Sequence, residues 1–139
     1  MAELDSYSID NVIVIVGVLP ISGFHEGDDV IQLSRSVPTF QMPIGADGNG
    51  VAVRSADRSG KIVLRLQQTS LSNAYLAGQL AAMERGLIAS LPFLLKDKGT
   101  LLQLAAAAHC VIEQPPDQPF GTALNVREWT LLAEELILA

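Results

Sequence analysis

Hydrophobic and polar residues alternate most regularly between Lys61 and Gln67. Ile62, Leu64 and Leu66 occupy every second position of this segment, so in an extended conformation their side chains share one face. The opposite face is largely polar. The pattern predicts a β-strand with one buried face.

A helical spacing follows this strand. Residues that could cap a helix are succeeded by apolar residues three or four positions apart, and Gly86 is a natural helix stop. The candidate caps are Thr69, Ser70 and Ser72, and the apolar stripe consists of Leu76, Ala77, Leu80, Met83 and Leu87. We therefore expect one amphipathic helix ending at Gly86.

Most of the remaining chain has the composition of β-strands. β-Branched residues dominate residues 11–18, which we interpret as a strand buried on both faces and a neighbour of a second strand at 30–33. Residues 45–50 tolerate positive φ and predict a hairpin tip between extended segments at 37–44 and 51–54. Further strands are predicted at 91–96, from Thr100 onward after a turn at 97–99, and at 125–132. The chain is therefore expected to be mainly β (α+β).

Two segments allow more than one interpretation. Residues 101–108 contain four consecutive alanines, and Ala and Leu are the strongest helix formers. The turn before them and the Val111 and Ile112 pair after them favour a strand. Residues 129–138 could be an extended strand or an amphipathic helix. We favour strands in both segments and keep the helices as alternatives.

Composition and charge narrow the class of protein. The chain has 139 residues, 49% of them hydrophobic and 17% charged, with a net charge of −6. The length predicts a single domain spanning residues 1–139. A high apolar share with few charges suggests that partner subunits cover part of the surface. The acidity argues against a general nucleic-acid binder, which needs clustered Lys and Arg.

The sequence also predicts the compartment. Cys110 is the only cysteine, so no intrachain disulfide can form and a reducing cytoplasm is expected. Residues 1–10 lack the basic and apolar regions of a secretory signal. The apolar run at 12–19 is far shorter than the ~20 residues that a membrane-spanning helix needs. We therefore expect no membrane association.

The sequence contains no phosphate-binding glycine loop, paired-cysteine metal pattern, HExxH motif or nucleophile elbow. His109 and Cys110 are adjacent, so on a strand their side chains would point to opposite faces and could not share a metal. Residues 47–50 are similar to part of a calcium loop but are interpreted as turn chemistry. We expect neither a catalytic site nor a metal or other cofactor.

A polar segment near the N-terminus carries the densest acidic cluster, Glu26, Asp28 and Asp29, beside His25. A solvated loop is the favoured interpretation. A metal site or a general base built from these residues would be the basis of an enzyme alternative.

Several motifs, taken in order, resemble the tail tube proteins of contractile-tailed bacteriophages. The resemblance extends from about Tyr7 to Thr130. It rests on residues 44–48, 55–60 and 64–70 with Asn73, and then on 110–117, Phe120, Gly121 and 127–130. The alanines at 105–108 and the leucine-rich end at 131–139 depart from the pattern.

The resemblance implies two packed antiparallel sheets, or a partly open β-barrel, with one flanking helix. It implies a structural virion protein whose hexameric rings stack into the hollow tube of a contractile tail, an architecture shared with the type VI secretion tube. The implied partners are further copies of the chain and the tail sheath, baseplate and tail terminator proteins. DNA would pass through the lumen without specific binding. The implied location is the phage tail, assembled in the host cytoplasm. The alternative is a baseplate or terminator ring protein of the same fold.

Candidate contact residues follow from this resemblance. A loop contacting the neighbouring ring is expected to contain Ala46, Asp47, Gly48, Asn49, Arg54, Asp57 and Arg58. The acidic cluster at Glu26, Asp28 and Asp29 is the candidate for the lumen. Trp129 is expected to anchor the core or a subunit contact, because a lone tryptophan in an alternating strand lacks the polar partners of a ligand site.

Overall fold

A computed structural model describes residues 12–24, 30–97, 103–118, 120–121 and 125–138. The elements, in chain order, are β1 (Val12–Val16), β2 (Leu19–Ile21), β3 (Ile31–Arg35), β4 (Phe40–Gln41), β5 (Val53–Arg54), β6 (Gly60–Gln67), α1 (Ser72–Glu84), β7 (Leu91–Asp97), β8 (Gln103–Gln114), β9 (Val126–Ala133) and β10 (Ile137–Leu138). The prediction of a mainly β chain with one helix is confirmed.

One large antiparallel sheet dominates the fold. Its strand order is β2-β1-β7-β8-β9-β6-β3, and β10 pairs with β8 beside β9. The sheet is curled, so that its two edges meet. Phe24, just after β2, forms a bridge with Leu66 of β6 near the other edge, and the Gln67 amide donates to the Gly23 carbonyl at 2.8 Å. The second sheet is the pair β4-β5. Two antiparallel sheets, without a closed barrel, agree with the predicted fold class.

The core lies on the inner face of the curled sheet. The alternation predicted for β6 is observed, because Ile62, Leu64 and Leu66 are fully buried. Across the strand pair, Trp129 lies opposite Leu64 and Leu131 opposite Ile62. Both of these β9 side chains are also buried. The alternate, inward-facing residues of the paired strands β6 and β9 therefore form the largest part of the core.

The start of α1 differs from the prediction. Leu71 is the N-cap residue, and no side chain caps the helix. Thr69 lies in the turn before the helix. Ser70 Oγ accepts from the Ser72 amide at 3.2 Å and donates to the Ser22 carbonyl at 2.6 Å. Ser72 is inside the helix, and its Oγ accepts from the Ser22 amide at 3.1 Å. Ser70 therefore accepts from a first-turn amide as predicted, although it is not the N-cap residue, and the hydroxyls of Ser70 and Ser72 join the helix to the end of β2.

The predicted end of α1 is correct. Gly86 has φ +73°, and its amide donates to the Met83 carbonyl at 3.0 Å. The next amide, of Leu87, donates to the Ala82 carbonyl at 2.9 Å. This pair of bonds is a Schellman motif, in which a left-handed glycine reverses the chain.

The buried stripe of α1 is narrower than expected. Leu76 is buried, and Leu80 and Met83 pack against the core. Ala77 is exposed, because it lies about 100° around the helix from Leu76. Leu87 is 72% exposed, since the chain has already reversed at Gly86.

The N-terminal strand corrects two predictions. The interpretation of residues 11–18 as one strand buried on both faces is wrong: β1 ends at Val16, Gly17 turns with φ +68° and Val18 is 90% exposed. Ile13 and Ile15 are half-buried. The second prediction, that the strand at 30–33 is a neighbour, is also wrong, because β1 pairs with β2 and β7, whereas β3 pairs with β6.

Both ambiguous segments are extended where the structure describes them. In β8, Ala105 and Ala106 pair with β7 on one side and with β10 on the other. Ladder bonds and burial of Ala105 therefore outweigh the helix propensity of alanine. The second segment forms the end of β9 and then β10. The predicted turn at 97–99 lies outside the described residues after Asp97, as do residues 100–102.

Candidate assembly interface

A hairpin projects from the sheet and is the least buried part of the described chain. We call residues 40–54 the arm. Its strands pair Phe40 with Arg54 and Gln41 with Val53, and Ile44 forms a bridge with Gly50. Every residue of the arm is exposed. A two-stranded hairpin is only marginally stable alone in water and is normally supported by burial against other elements. The arm lacks such burial.

The tip of the arm is an ordered turn, as predicted for residues 45–50. The Gly45 amide donates to the Asn49 carbonyl at 2.8 Å, and the Gly48 amide donates to the Gly45 carbonyl at 3.0 Å. Asp47 accepts from the Asn49 amide at 3.1 Å and from Asn49 Nδ2 at 2.9 Å. These bonds hold the pKa of the Asp47 carboxyl below its ordinary value. The tip is therefore polar and locally fixed.

Both faces of the arm carry exposed apolar side chains beside one polar residue each, Arg54 opposite Phe40 and Gln41 opposite Val53. Residues directly opposite each other on paired strands share a face, and successive residues alternate. One face, which we call the Met42 face, contains Phe40, Met42 and Ile44. The other contains Val51 and Val53. These five side chains are 51–65% exposed. Exposed apolar side chains grouped in this way are typical of interaction sites.

We call the segments at the base of the arm, residues 35–39 and 54–58, its root. Polar contacts attach the root to the C-terminal segment. Arg35 donates to Thr39 Oγ1 at 3.0 Å and to the Leu136 carbonyl at 3.1 Å. The Leu136 amide donates to the Arg58 carbonyl at 2.9 Å, and Arg58 forms an ion pair with Glu135 at 3.2 Å. Leu136 itself is buried. The arm therefore rises from a well-anchored base.

A charged recess lies beside this root. It has a volume of ≈ 500 Å³ and is lined by Arg54, Ser55, Ala56, Asp57, Arg58, Glu134 and Glu135. Asp57 Oδ1 accepts from the Ser59 amide at 2.9 Å, and its contacts with Ser59 lower the pKa of the Asp57 carboxyl. Mixed charges of this kind contribute to specificity more than to affinity.

A second, more apolar cavity lies across the β9-β10 turn from the recess. We call it the groove. It has a volume of ≈ 510 Å³ and is lined by Ala89, Ser90, His109, Val111, Leu132, Ala133 and Glu134. Ser90 Oγ and His109 Nδ1 are 3.0 Å apart and share a hydrogen bond. Glu134 lines both cavities, so the groove and the recess adjoin at this residue.

The predicted contact residues fall into two separate groups. Ala46, Asp47, Gly48 and Asn49 form the tip of the arm, whereas Arg54, Asp57 and Arg58 lie at its root in the charged recess. The sequence interpretation omitted the apolar side chains between tip and root. Their signal was the alternation of Phe40, Met42 and Ile44, which resembles that of a buried strand.

The remaining candidates are placed as follows. Trp129 is 2% exposed and belongs to the core, and its Nε1 donates to Asn73 Oδ1 at 3.0 Å. Cys110 is buried while His109 is exposed, so their side chains diverge as predicted. The acidic cluster Glu26, Asp28 and Asp29, with His25, lies outside the described residues.

The described residues contain neither a metal-binding cluster nor a membrane-spanning helix. They contain no group of three or more His, Cys, Asp or Glu side chains arranged to hold a metal ion. Within the same part of the chain, no helix has the length and hydrophobicity that a bilayer span requires.

The fold is similar to that of three solved chains from contractile injection systems. The chain is similar to the sheath/tube terminator of the extracellular contractile injection system PVC in its extended state, with a TM-score of 0.64, 15% identity and coverage of 99% of both chains. It is similar to the tube-terminating cap of the anti-feeding prophage AFP, with a TM-score of 0.63, 14% identity and coverage of 100% of this chain and 94% of the other.

A chain of the extended PVC sheath-tube complex gives a TM-score of 0.60, 15% identity and coverage of 96% and 91%. No curated protein shows significant sequence similarity. Residues 6–137 match the profile of the bacteriophage PhiTE tail tube protein family. The chain therefore belongs to that family, and its role is that of a structural component related to the phage tail tube.

Proposed function

We propose that this chain is the subunit of the inner tube of a contractile phage tail, with residues 1–139 forming one tail tube domain. Copies form hexameric rings, and the rings stack into a hollow tube inside the sheath. The family match over residues 6–137 carries the proposal. The exposed apolar arm supports it, because a subunit with such an element requires neighbours to cover it.

The charge of the chain suits a conduit for DNA. Each subunit has a net charge of −6, and acidic groups around a bore repel a polyanion. Basic groups would instead form phosphate contacts whose combined affinity increases with their number. We propose Glu26, Asp28 and Asp29 as the lumen cluster. DNA then passes without specific binding when the genome is ejected.

The proposed partners are further copies of the chain together with the sheath, baseplate and terminator proteins of the tail. The tip of the arm, with Ala46, Asp47, Gly48 and Asn49, contacts the next ring. Arg54, Asp57 and Arg58 at the root set the register of that contact through ion pairs. Assembly takes place in the host cytoplasm, and the final location is the virion.

A tail terminator is the second candidate. Two of the similar structures are a sheath/tube terminator and a tube-terminating cap, and their TM-scores of 0.64 and 0.63 exceed the 0.60 of the sheath-tube chain. A terminator would share the fold and form a ring. It would stop polymerisation instead of continuing it.

Electron microscopy of the purified protein across a concentration series distinguishes these candidates. Hollow tubes of uniform width are expected for a tube subunit, and single rings for a terminator or a baseplate ring. A particle that stays monomeric at high concentration contradicts both. Image averaging of end views then counts the subunits in each ring and tests the six-fold symmetry.

A further inference from the structure

One charged side chain lies where the alternation of a strand predicts an apolar one. Arg127 is on the core-facing side of β9, the side that also carries Trp129 and Leu131, and it is only 5% exposed. Across the strand pair it lies opposite Leu66 of β6, which is fully buried. Nη1 of Arg127 is buried and has no hydrogen-bond partner. A buried charge in this state is unfavourable, and an apolar side chain would pack there at lower cost.

An aromatic ring lies over this guanidinium. The centre of the Phe120 ring is 5.3 Å from Cζ of Arg127, which is a cation–π distance. Phe120 is itself 77% exposed, so the ring lies between the guanidinium and solvent. The buried charge is therefore close to the surface, although it is covered in the isolated subunit.

The acidic residues beside Arg127 do not supply a counter-ion. Glu128 follows it in β9, so its side chain points to the opposite face, and it pairs with Arg65 at 3.2 Å. Asp117 lines a cavity of ≈ 340 Å³ together with Glu128 and Val126, the two residues that flank Arg127 in the strand. Both carboxylates therefore lie on the outer side of β9, whereas the guanidinium lies on the inner side.

We propose that the guanidinium of Arg127 binds the carboxylate of Glu134 from a neighbouring copy of this chain. This inference rests on the proposed function, because it names one pair of side chains through which copies join head to tail. Phe120 moves aside as the carboxylate enters, and charge-assisted hydrogen bonds to Nη1 replace the cation–π contact. The site is incomplete within one subunit, and the next subunit completes it.

The position of Glu134 suits this role. Arg127 is the second residue of β9 and Glu134 follows the last one, so roughly 23 Å of strand separate them. Glu134 is exposed. Arg58 pairs with Glu135, whereas no ion pair within the described part of the chain engages Glu134. A cation at one end of a strand and a carboxylate at the other form a heterologous contact, which can repeat from copy to copy.

A double-mutant cycle on assembly tests the pair. Arg127→Met replaces the guanidinium with an apolar side chain, and Glu134→Gln keeps the shape of the side chain but removes its charge. Each change should raise the critical concentration for assembly about tenfold, because a charge-assisted bond is lost. The double variant should be no worse than either single one, since both changes remove the same contact. Sedimentation velocity across a concentration series measures all four proteins.

Glu84→Gln is the matched control. Glu84 is an exposed carboxylate at the end of α1, and its change should leave the critical concentration unaltered, both alone and together with Arg127→Met. Urea unfolding below the critical concentration measures the isolated subunit. There, Arg127→Met should be at least as stable as the wild type, because an apolar side chain replaces an unpaired buried charge. A less stable Arg127→Met subunit would show that its own chain already satisfies the guanidinium and would overturn the proposal.

The remaining outcomes separate this contact from the proposed function. Additive effects of Arg127→Met and Glu134→Gln would refute the pairing, as would an Arg127→Met protein that assembles like the wild type. Either result leaves the proposed function intact. The same cycle applies if the wild type forms single rings instead of tubes. A wild type that stays monomeric at high concentration would refute both the pairing and the proposed function.

Discussion

At the scale of single residues, buried polar atoms depend on a small number of partners. Trp129 lies in the core, and its only indole donor bonds to Asn73 Oδ1. Asn73 Nδ2 in turn donates to the Gln67 carbonyl at 2.8 Å. One amide side chain therefore connects α1 to both β6 and β9, and its loss would leave an indole N–H without a partner in the core.

Asn73→Ala should lower the free energy of unfolding by about 1–3 kcal/mol, the cost of leaving a buried donor unsatisfied. A double-mutant cycle isolates the bond. In a Trp129→Phe background, which has no indole donor, the same change should cost less. Urea unfolding followed by far-UV circular dichroism gives all four values. An equal cost in both backgrounds would mean that the Asn73 contribution comes from its other contacts.

Burial of Cys110 gives the protein a pH dependence. Desolvation raises the pKa of this thiol from 9.0 to about 11. The pKa of the thiol is higher in the folded than in the unfolded protein. The neutral thiol's contribution to the free energy of unfolding is therefore complete below pH 9 and is lost as the pH rises toward 11. Relative to Cys110→Ala, the wild type should lose about 1–2 kcal/mol across that window. Parallel unfolding curves of the two proteins from pH 8 to 11 would contradict this assignment.

At the scale of elements, backbone conformation decides what two glycines do. Gly86 has φ +73° and Gly78 lies inside α1, and a Cβ on either would meet nothing within 4 Å. Space is therefore available at both positions, and only the backbone distinguishes them. Alanine substitutions at the two positions therefore measure two different costs. At Gly86 the cost is the strain of a side chain in the left-handed conformation, and at Gly78 it is the entropic cost of glycine inside a helix.

Gly86→Ala should destabilise the protein by about 1 kcal/mol, because an L side chain is strained in the left-handed region. Gly78→Ala should stabilise it by roughly 0.5–1 kcal/mol, because alanine restricts the unfolded chain and favours the helix. Thermal unfolding of the two variants beside the wild type measures both. A neutral or stabilising effect of Gly86→Ala would contradict the left-handed conformation at Gly86.

Some of these elements could be predicted from the sequence, and others could not. The alternation at residues 61–67 and the stop at Gly86 are local signals, and both were interpreted correctly. The neighbour predicted for the first strand was wrong, because strand partners lie far apart in the chain. For example, Gly60 of β6 pairs with Ala133 of β9, and a local sequence pattern does not identify such a partner. The alanines of β8 were ambiguous for the same reason, since pairing on both sides determines their conformation.

At the scale of the whole molecule, the arm separates folding from assembly. Its apolar residues alternate as they do in a strand with one buried face, yet every one is exposed. The sequence could suggest a contact loop only through family resemblance. It could not place the tip and root at opposite ends of an apolar arm. That distinction depends on the three-dimensional register of β4 and β5.

Asp substitutions on the arm should therefore abolish assembly and leave the subunit folded. Met42→Asp with Ile44→Asp places two charges on the exposed apolar side chains that the proposed assembly would bury, where an unpaired buried charge is strongly unfavourable. In the isolated subunit these side chains are exposed, so the free energy of unfolding should change by less than about 0.5 kcal/mol. Sedimentation velocity and electron microscopy measure assembly, and thermal unfolding measures the stability of the subunit.

Val18→Asp, on a side chain 90% exposed outside the arm, is the matched control and should assemble as the wild type does. Normal tubes from the arm variant would show that this face takes no part in the contact between copies.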